Sequence, residues 1–278
     1  MIDILNAAIL GVIEGITEWL PISSTGHLIL AELLFPLHNA SAEFKEMFDV
    51  VIQLGAICAV ILLFWNKLWP FTMDKTKHYI KKETWGMWFK VLVAIVPTVL
   101  IALPLDDWFN KKFYNWQTIA FTLIFYGILF IVVEYWRKNK PIHTKKLSAL
   151  TYQTALCIGI FQVLSVIPGT SRSGATILGA LILGVARPVA AEFTFFLAIP
   201  TMFGASLLKG VKFILSGVSI TGLEIGMLCV GSFVAFIVSL FAIGFLMRYV
   251  KKHDFKVFGW YRIALGIVVL VYFGLIAK

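Results

Sequence analysis

Charge is what this chain has least of. Of its 278 residues, 14% are charged and 60% hydrophobic, against about 25% and 45–50% in a soluble domain. So little polar surface cannot cover a soluble globule, and that class is excluded. Cysteine is scarce too. Cys58, Cys157 and Cys229 all lie in apolar runs, offer no disulfide or metal-ligand spacing, and read as packing residues. No basic leader with a short apolar core and a small-residue cleavage site precedes the first polar cluster, so no removable signal is expected. Acidic residues are outnumbered 15 to 24, giving a net charge of +9. In a membrane chain that excess marks Lys- and Arg-rich cytoplasmic loops rather than a nucleic-acid partner.

What is present is apolar sequence in lengths that suit a bilayer. Stretches at about 47–65, 86–104, 117–136, 193–215, 221–247 and 259–277 approach the roughly 20 residues a spanning helix needs. Two further apolar regions, 1–36 and 149–187, are broken midway by Pro, Gly, Ser and Thr. Irregular backbone at membrane depth survives only when buried in protein or lining a wet cavity. Both regions therefore read as re-entrant helix-break-helix hairpins.

Basic segments at 66–90 (Lys75 and Lys77 among them), 137–146 and 248–256 alternate with a mixed 105–116 loop carrying Asp106, Asp107, Lys111 and Lys112. Placing the basic segments inside makes the first hairpin enter from outside and the second from inside. A shift of 148 residues aligns Ala7, Gly11, Ser23 and Gly26 with Ala155, Gly159, Ser171 and Gly174. The same shift aligns Ile29, Leu30 and Leu33 with Ile177, Leu178 and Leu181, and sets Glu14 against Gln162. The expected fold is an all-α polytopic membrane protein, one integral membrane domain built as an inverted-topology repeat. It has six spanning helices plus two re-entrant hairpins: repeat one over 1–136, a basic cytoplasmic linker over 137–148, and repeat two over 149–277. Such folds place their sites where broken helices meet near the midplane.

The first break, EGITEWLPISSTGH, holds Glu14 and Glu18 four residues apart, on one helix face. Two buried carboxylates there require a bound cation, a shared proton or a nearby Arg. Pro21 ends the first half-helix. Ser23, Ser24 and Thr25 precede the second, where hydroxyls cap a helix start or do chemistry. Ser24 and His27 are three apart, a spacing at which the imidazole reaches the hydroxyl and activates it. The second break, PGTSRSG, supplies Arg172 between Ser171 and Ser173, with Gly174 following. Its guanidinium fork suits phosphate oxygens or a carboxylate of the first break, and free N–H groups at a half-helix start favour the same anion. Asp49 and Gln53, four apart, line the cavity or sit in solvent. Glu192 reads as interfacial. Trp19, Phe48, Phe193, Phe195 and Phe196 read as packing.

EGITEWLPISSTGH and PGTSRSG, with FDVVIQLGAICAV between them, closely resemble the bacterial undecaprenyl-diphosphate phosphatases, also called bacitracin-resistance proteins, over the whole chain. The resemblance implies removal of the terminal phosphate of undecaprenyl diphosphate at the extracytoplasmic face of the bacterial inner membrane. That reaction recycles the lipid carrier for peptidoglycan synthesis and confers bacitracin resistance. It implies Glu14 and Glu18 as ligands of a divalent cation, Mg2+ or Ca2+, and as catalytic groups, with Ser24 and His27 catalytic. Arg172 would bind phosphate, helped by Ser23, Thr25, Ser171, Ser173 and Gly174. The expected partners are a polyprenyl diphosphate and membrane lipid, with a homodimer left open. The competing class is a transporter or flippase for a phosphate-bearing lipid, since inverted repeats with broken helices are also a transporter architecture. The Ser24–His27 pair argues against it, because transport needs no nucleophile.

Overall fold

The computed structural model describes residues 1–72 and 79–276, with Leu103, Asp106, Asn110 and Ile276 described by backbone only. Lys75, Lys77 and the Asp106 side chain, weighed above, lie outside the described residues. Among those described, every extended element is a helix. The first broken region gives α1 (Ile2–Thr17) and α2 (Ser24–Leu34). Three long helices follow: α3 (Ala42–Leu63), α4 (Lys82–Ala102) and α5 (Trp116–Trp136). The second broken region gives α6 (Tyr152–Val163) and α7 (Arg172–Ile182). Then come α8 (Arg187–Leu215), α9 (Gly222–Tyr249) and α10 (Lys256–Val271).

Six helices are long and apolar enough to cross a membrane, each matching a span read from the sequence. Most begin a few residues earlier than the apolar pattern does, because polar first turns such as Ser41-Ala42-Glu43 extend them. The mixed 105–116 segment is a correction: Leu103–Phe113 is helical rather than a loop, and Asp107 pairs there with Lys212 at 2.7 Å. Cys58 and Cys229 are a second, being exposed on outward helix faces rather than packed inside. Large side chains such as Leu100, Phe121, Phe233 and Phe241 also face outward. A surface that apolar is stable against lipid and not against water.

The half-helices are short for a practical reason. At 1.5 Å per residue, 16 and 11 residues extend about 24 and 16 Å, below a hydrocarbon core of about 30 Å. Their junctions are built alike. Ser23 and Ser171 have positive φ, 73° and 71°, and their hydroxyls accept from the backbone N–H of Gly26 (3.3 Å) and Gly174 (3.1 Å). Each serine is thus an N-cap bought by a left-handed backbone turn, at positions 148 residues apart.

Packing follows the same correspondence. α1 lies along α9 as α6 lies along α4, and α3 meets α9 as α8 meets α4. α5 crosses α10, its own counterpart, and α3 crosses α8. Close crossings use glycine in matched places. Gly11 abuts the Gly231 carbonyl and Gly159 the Ala94 carbonyl. Where α5 crosses α10, a Cβ on Gly127 would lie 2.7 Å from the Gly259 oxygen, and one on Gly259 would lie 2.7 Å from the Gly127 oxygen. The 137–148 linker is pinned by Thr144, whose carbonyl accepts from Ala186 N at 2.9 Å. Below it, Arg187 grips buried Glu134 through Nε at 2.8 Å and Nη2 at 2.5 Å.

Gly127→Val is therefore expected to destabilise the fold by about 1–3 kcal/mol, the usual cost of overpacking. Gly86→Ala, where a Cβ meets nothing within 4 Å, is expected to leave stability unchanged or slightly raised. Thermal unfolding of both variants in detergent compares them directly.

Candidate active site

The two breaks meet at Glu18. This residue follows the last turn of α1, its N–H still bonded to the Glu14 carbonyl at 3.0 Å. From the other break, Arg172 Nη2 donates to Glu18 Oε1 at 2.7 Å, and both side chains are about nine-tenths buried. Ser24 Oγ donates to the other carboxylate oxygen, Oε2, at 3.0 Å. Ser24 and Arg172 are the first residues of α2 and α7, and the 148-residue shift places them at one repeat position. One carboxylate thus receives the leading side chain of each half-helix.

Arg172 is held from several sides. Nη1 donates to the Thr194 carbonyl at 2.9 Å, Nη2 lies 3.2 Å from Met202 Sδ, and the guanidinium stands 5.9 Å from the Trp19 ring centroid. Its Nε has no partner. Ser173 Oγ donates to the Glu18 carbonyl at 3.0 Å and contacts the Leu20 carbonyl at 3.4 Å, stitching one break to the other. Ser23 and Ser171 spend their hydroxyls as caps, and Gly174 donates its N–H to the second cap. Thr25 is half-buried, and its side chain makes no hydrogen bond among the described residues.

His27 is placed otherwise than its spacing suggests. Its Nδ1 lies 2.7 Å from the Ser23 carbonyl and its Nε2 2.8 Å from the Tyr261 hydroxyl; the predicted Ser24–His27 hydrogen bond is not formed. The Ser23 carbonyl and the Tyr261 hydroxyl occupy both ring nitrogens instead. A carbonyl only accepts, so Nδ1 carries the proton, and in the neutral ring Nε2 accepts from Tyr261 O–H. The base within reach of Ser24 is Glu18.

Glu14 is fully buried, and neither carboxylate oxygen has a hydrogen-bond partner among the described residues. Its neighbours are Glu18, Asp49, Arg172 and Gln53, the Gln53 amide facing it without closing a bond of good geometry. A buried, unpartnered carboxylate is costly unless a cation or proton meets it. Oxygen donors are what Mg2+ and Ca2+ take, with substrate oxygens or water completing the shell, so the donor set fits a divalent ion at Glu14. Glu18, already engaged twice, is the weaker ligand. Asp49 neighbours Glu32, a residue the sequence reading passed over. Glu192, expected at an interface, is buried and bonded to Lys67 at 2.7 Å.

Arg262 was not legible in the sequence at all. Fully buried on α10, it donates to Pro21 O (3.2 Å) in the first break and to Gly169 O (2.8 Å) and Thr170 O (3.0 Å) in the second. One guanidinium thereby clamps both interruptions.

The profile of the bacitracin resistance protein BacA family matches residues 7–268 of this chain. The chain belongs to the BacA family. Among its relatives are undecaprenyl-diphosphatases of Desulfitobacterium hafniense, 59% identical over 98% of this chain and 97% of that one, and of Enterococcus faecalis, 56% identical over 97% of each. That of Lactiplantibacillus plantarum is 54% identical over 99% of this chain and all of that one. In this BacA chain, Arg262→Gln is expected to cost about 1–3 kcal/mol by leaving buried carbonyls unpaired. Activity and unfolding temperature are expected to fall together, and a variant with both intact would show that the clamp is dispensable.

Proposed function

We propose that this chain hydrolyses undecaprenyl diphosphate to undecaprenyl phosphate and inorganic phosphate. As a multi-pass protein of the bacterial plasma membrane, it would return the lipid carrier for cell-wall synthesis. The observation that carries the reading is the convergence on Glu18: a hydroxyl at 3.0 Å and a guanidinium at 2.7 Å share one buried carboxylate. Transport alone requires anion binding, not a hydroxyl aimed at a base.

In the free enzyme Arg172 neutralises Glu18. A diphosphate entering the site competes for the guanidinium, whose planar fork suits phosphate oxygens. As Arg172 turns to the phosphoryl group, Glu18 loses its counter-charge and becomes a stronger base toward Ser24. The Ser24 Oγ–P bond forms while the bridging P–O bond breaks; the hydroxyl proton passes to Glu18, and the lipid monophosphate leaves with the bond's electron pair. Water then attacks the phosphoserine, the Oγ–P bond breaks, inorganic phosphate departs, and Ser24 regains its proton. Arg172 and the free N–H groups at the starts of α2 and α7 stabilise charge on the transferring group. His27, held by Tyr261 at the edge of the site, is the group left to serve the second proton transfer. Glu14 would hold a divalent cation, Mg2+ or Ca2+, which when bound supplies a Lewis acid to the diphosphate and leaves Glu18 free as the base.

Orientation follows from charge. With the basic segments inside and both hairpins re-entrant, the first hairpin opens outward and the headgroup is cleaved at the extracytoplasmic face.

Phosphate release from undecaprenyl or farnesyl diphosphate tests the chemistry. Ser24→Ala and Arg172→Ala are each expected to lower turnover by about 10² to 10⁴-fold, and robust release by the double variant would end the catalytic reading. Glu14→Gln is expected to raise the cation concentration needed for half-maximal activity, while a Glu14→Gln enzyme with an unchanged cation requirement would remove that carboxylate from the ion site. Single cysteines in 66–90 and 105–116, in a background lacking the native three, are expected to label from the inside and the outside respectively. The opposite pattern would invert the topology.

A further inference from the structure

An open hollow of about 860 Å³ lies at the end of the bundle where the basic segments gather, and its lining includes neither Glu18 nor Arg172. Lys67, Lys81, Lys82, Lys90, Lys145 and Lys146 line it. Among the described residues two carboxylates share the lining, Glu83 and Glu192. Glu192 is committed to Lys67 at 2.7 Å. Lys90 Nζ donates to the Ser148 carbonyl at 3.1 Å and Lys81 Nζ to the Asn66 carbonyl at 3.2 Å, so neither is neutralised there. Lys82, Lys145 and Lys146 have no ion pair among the described residues. Like charges crowded around one hollow repel, and the arrangement costs energy unless an anion fills it.

Two more features raise the potential in the same hollow. α4 begins at Lys82 and α8 at Arg187–Pro188, both in or beside the lining, and neither start has a side-chain cap. The long helices that start at the opposite end are capped, by Ser41, Asn115 and Thr221. The open starts leave backbone N–H groups and the positive ends of two helix dipoles at the lysine-lined hollow. Next to it, Trp65 stacks on Trp69 at 4.9 Å between ring centroids, and Phe71 links Trp69, Tyr79 and Trp85. Most of these rings are exposed. Exposed Trp and Tyr in such a group sit at the level of lipid headgroups, which puts the cavity mouth at the membrane surface.

We propose that this cavity is a second anion site, distinct from the catalytic centre, that takes a phosphate group. The ligand is the headgroup of an acidic phospholipid or free inorganic phosphate; the chemistry recognised is the same, a compact oxyanion met by several ammonium groups and open helix starts. The location at headgroup level favours the lipid, whose tails would run along the apolar flank beside the aromatic cluster.

The test uses the full chain in nanodiscs of phosphatidylcholine with and without phosphatidylglycerol, and in detergent with inorganic phosphate. The wild type is compared with a variant carrying Lys81→Gln, Lys82→Gln, Lys145→Gln and Lys146→Gln, and with the corresponding four-fold Lys→Arg variant. These lysines are mostly exposed and remote from the reacting groups, so turnover in phosphatidylcholine discs is expected to stay at the wild-type level and to report an intact fold. Phosphatidylglycerol retention in native mass spectrometry is expected to fall about tenfold or more in the glutamine variant and to be kept by the arginine variant. Displacement of the lipid by millimolar inorganic phosphate would identify free phosphate as an occupant; retention despite phosphate would identify the headgroup. Equal binding of both ligands by wild type and glutamine variant would overturn the site.

Discussion

The ion pair between Glu18 and Arg172 is the contact on which the centre of the molecule depends. Its two members belong to different halves of the chain, 154 residues apart, and each comes from an interruption in a helix rather than from a helix face. Burying either charge alone would be prohibitive, and removing one partner from such a pair typically costs about 3–5 kcal/mol. The pair therefore holds the two breaks in register. In the proposed mechanism the same pairing would keep the base and the phosphate ligand quiet in the empty protein, and a substrate anion would break the contact by offering the arginine an equivalent partner.

Placing Ser24 and Arg172 on one carboxylate takes a symmetric device with asymmetric contents. Each break ends in a serine forced to positive φ, a conformation that costs on the order of 1 kcal/mol or more for a residue with a Cβ. Glycine would avoid that cost but would lose the hydroxyl that caps the next half-helix. Serine at 23 and 171 accepts the strain and keeps the cap, and the first residue after each cap is aimed into the space between the breaks. In one repeat that residue is the hydroxyl, in the other the guanidinium. Arg262 and Ser173 then fix the separation of the two breaks by bonding to their carbonyls.

The long-range layout was legible because length and interruption are local properties. Twenty apolar residues read as a span whatever they pack against, and two runs with the same Ser-x-Ser/Thr-Gly break announce two helix junctions built alike. That logic also predicted Arg172 near Glu18, since opposite charges in one membrane interior have few other partners. Backbone conformation was not legible. Ser24 and His27 sit at helical spacing, yet the Ser23 carbonyl takes one imidazole nitrogen, and Tyr261 takes the other from 234 residues away. Arg262 was hidden for a related reason. A lone arginine in the sixth apolar run looks like an interfacial charge until the fold brings two sets of free carbonyls around it.

Comparing Glu14 with its counterpart Gln162 shows why the halves diverged in charge. Both are fully buried at equivalent positions, but Gln162 is neutral and donates to Thr98 Oγ1 at 2.8 Å, while Glu14 has no partner. A carboxylate at 162 would add a second orphaned negative charge to a centre that must admit a polyanion. Glu18 is balanced by Arg172 at 2.7 Å, so the uncompensated carboxylate beside that pair is Glu14. In the reading proposed above, a divalent cation at Glu14 would be worth most when the diphosphate adds its own negative charge and least after a singly phosphorylated lipid has formed, which would favour release of the product.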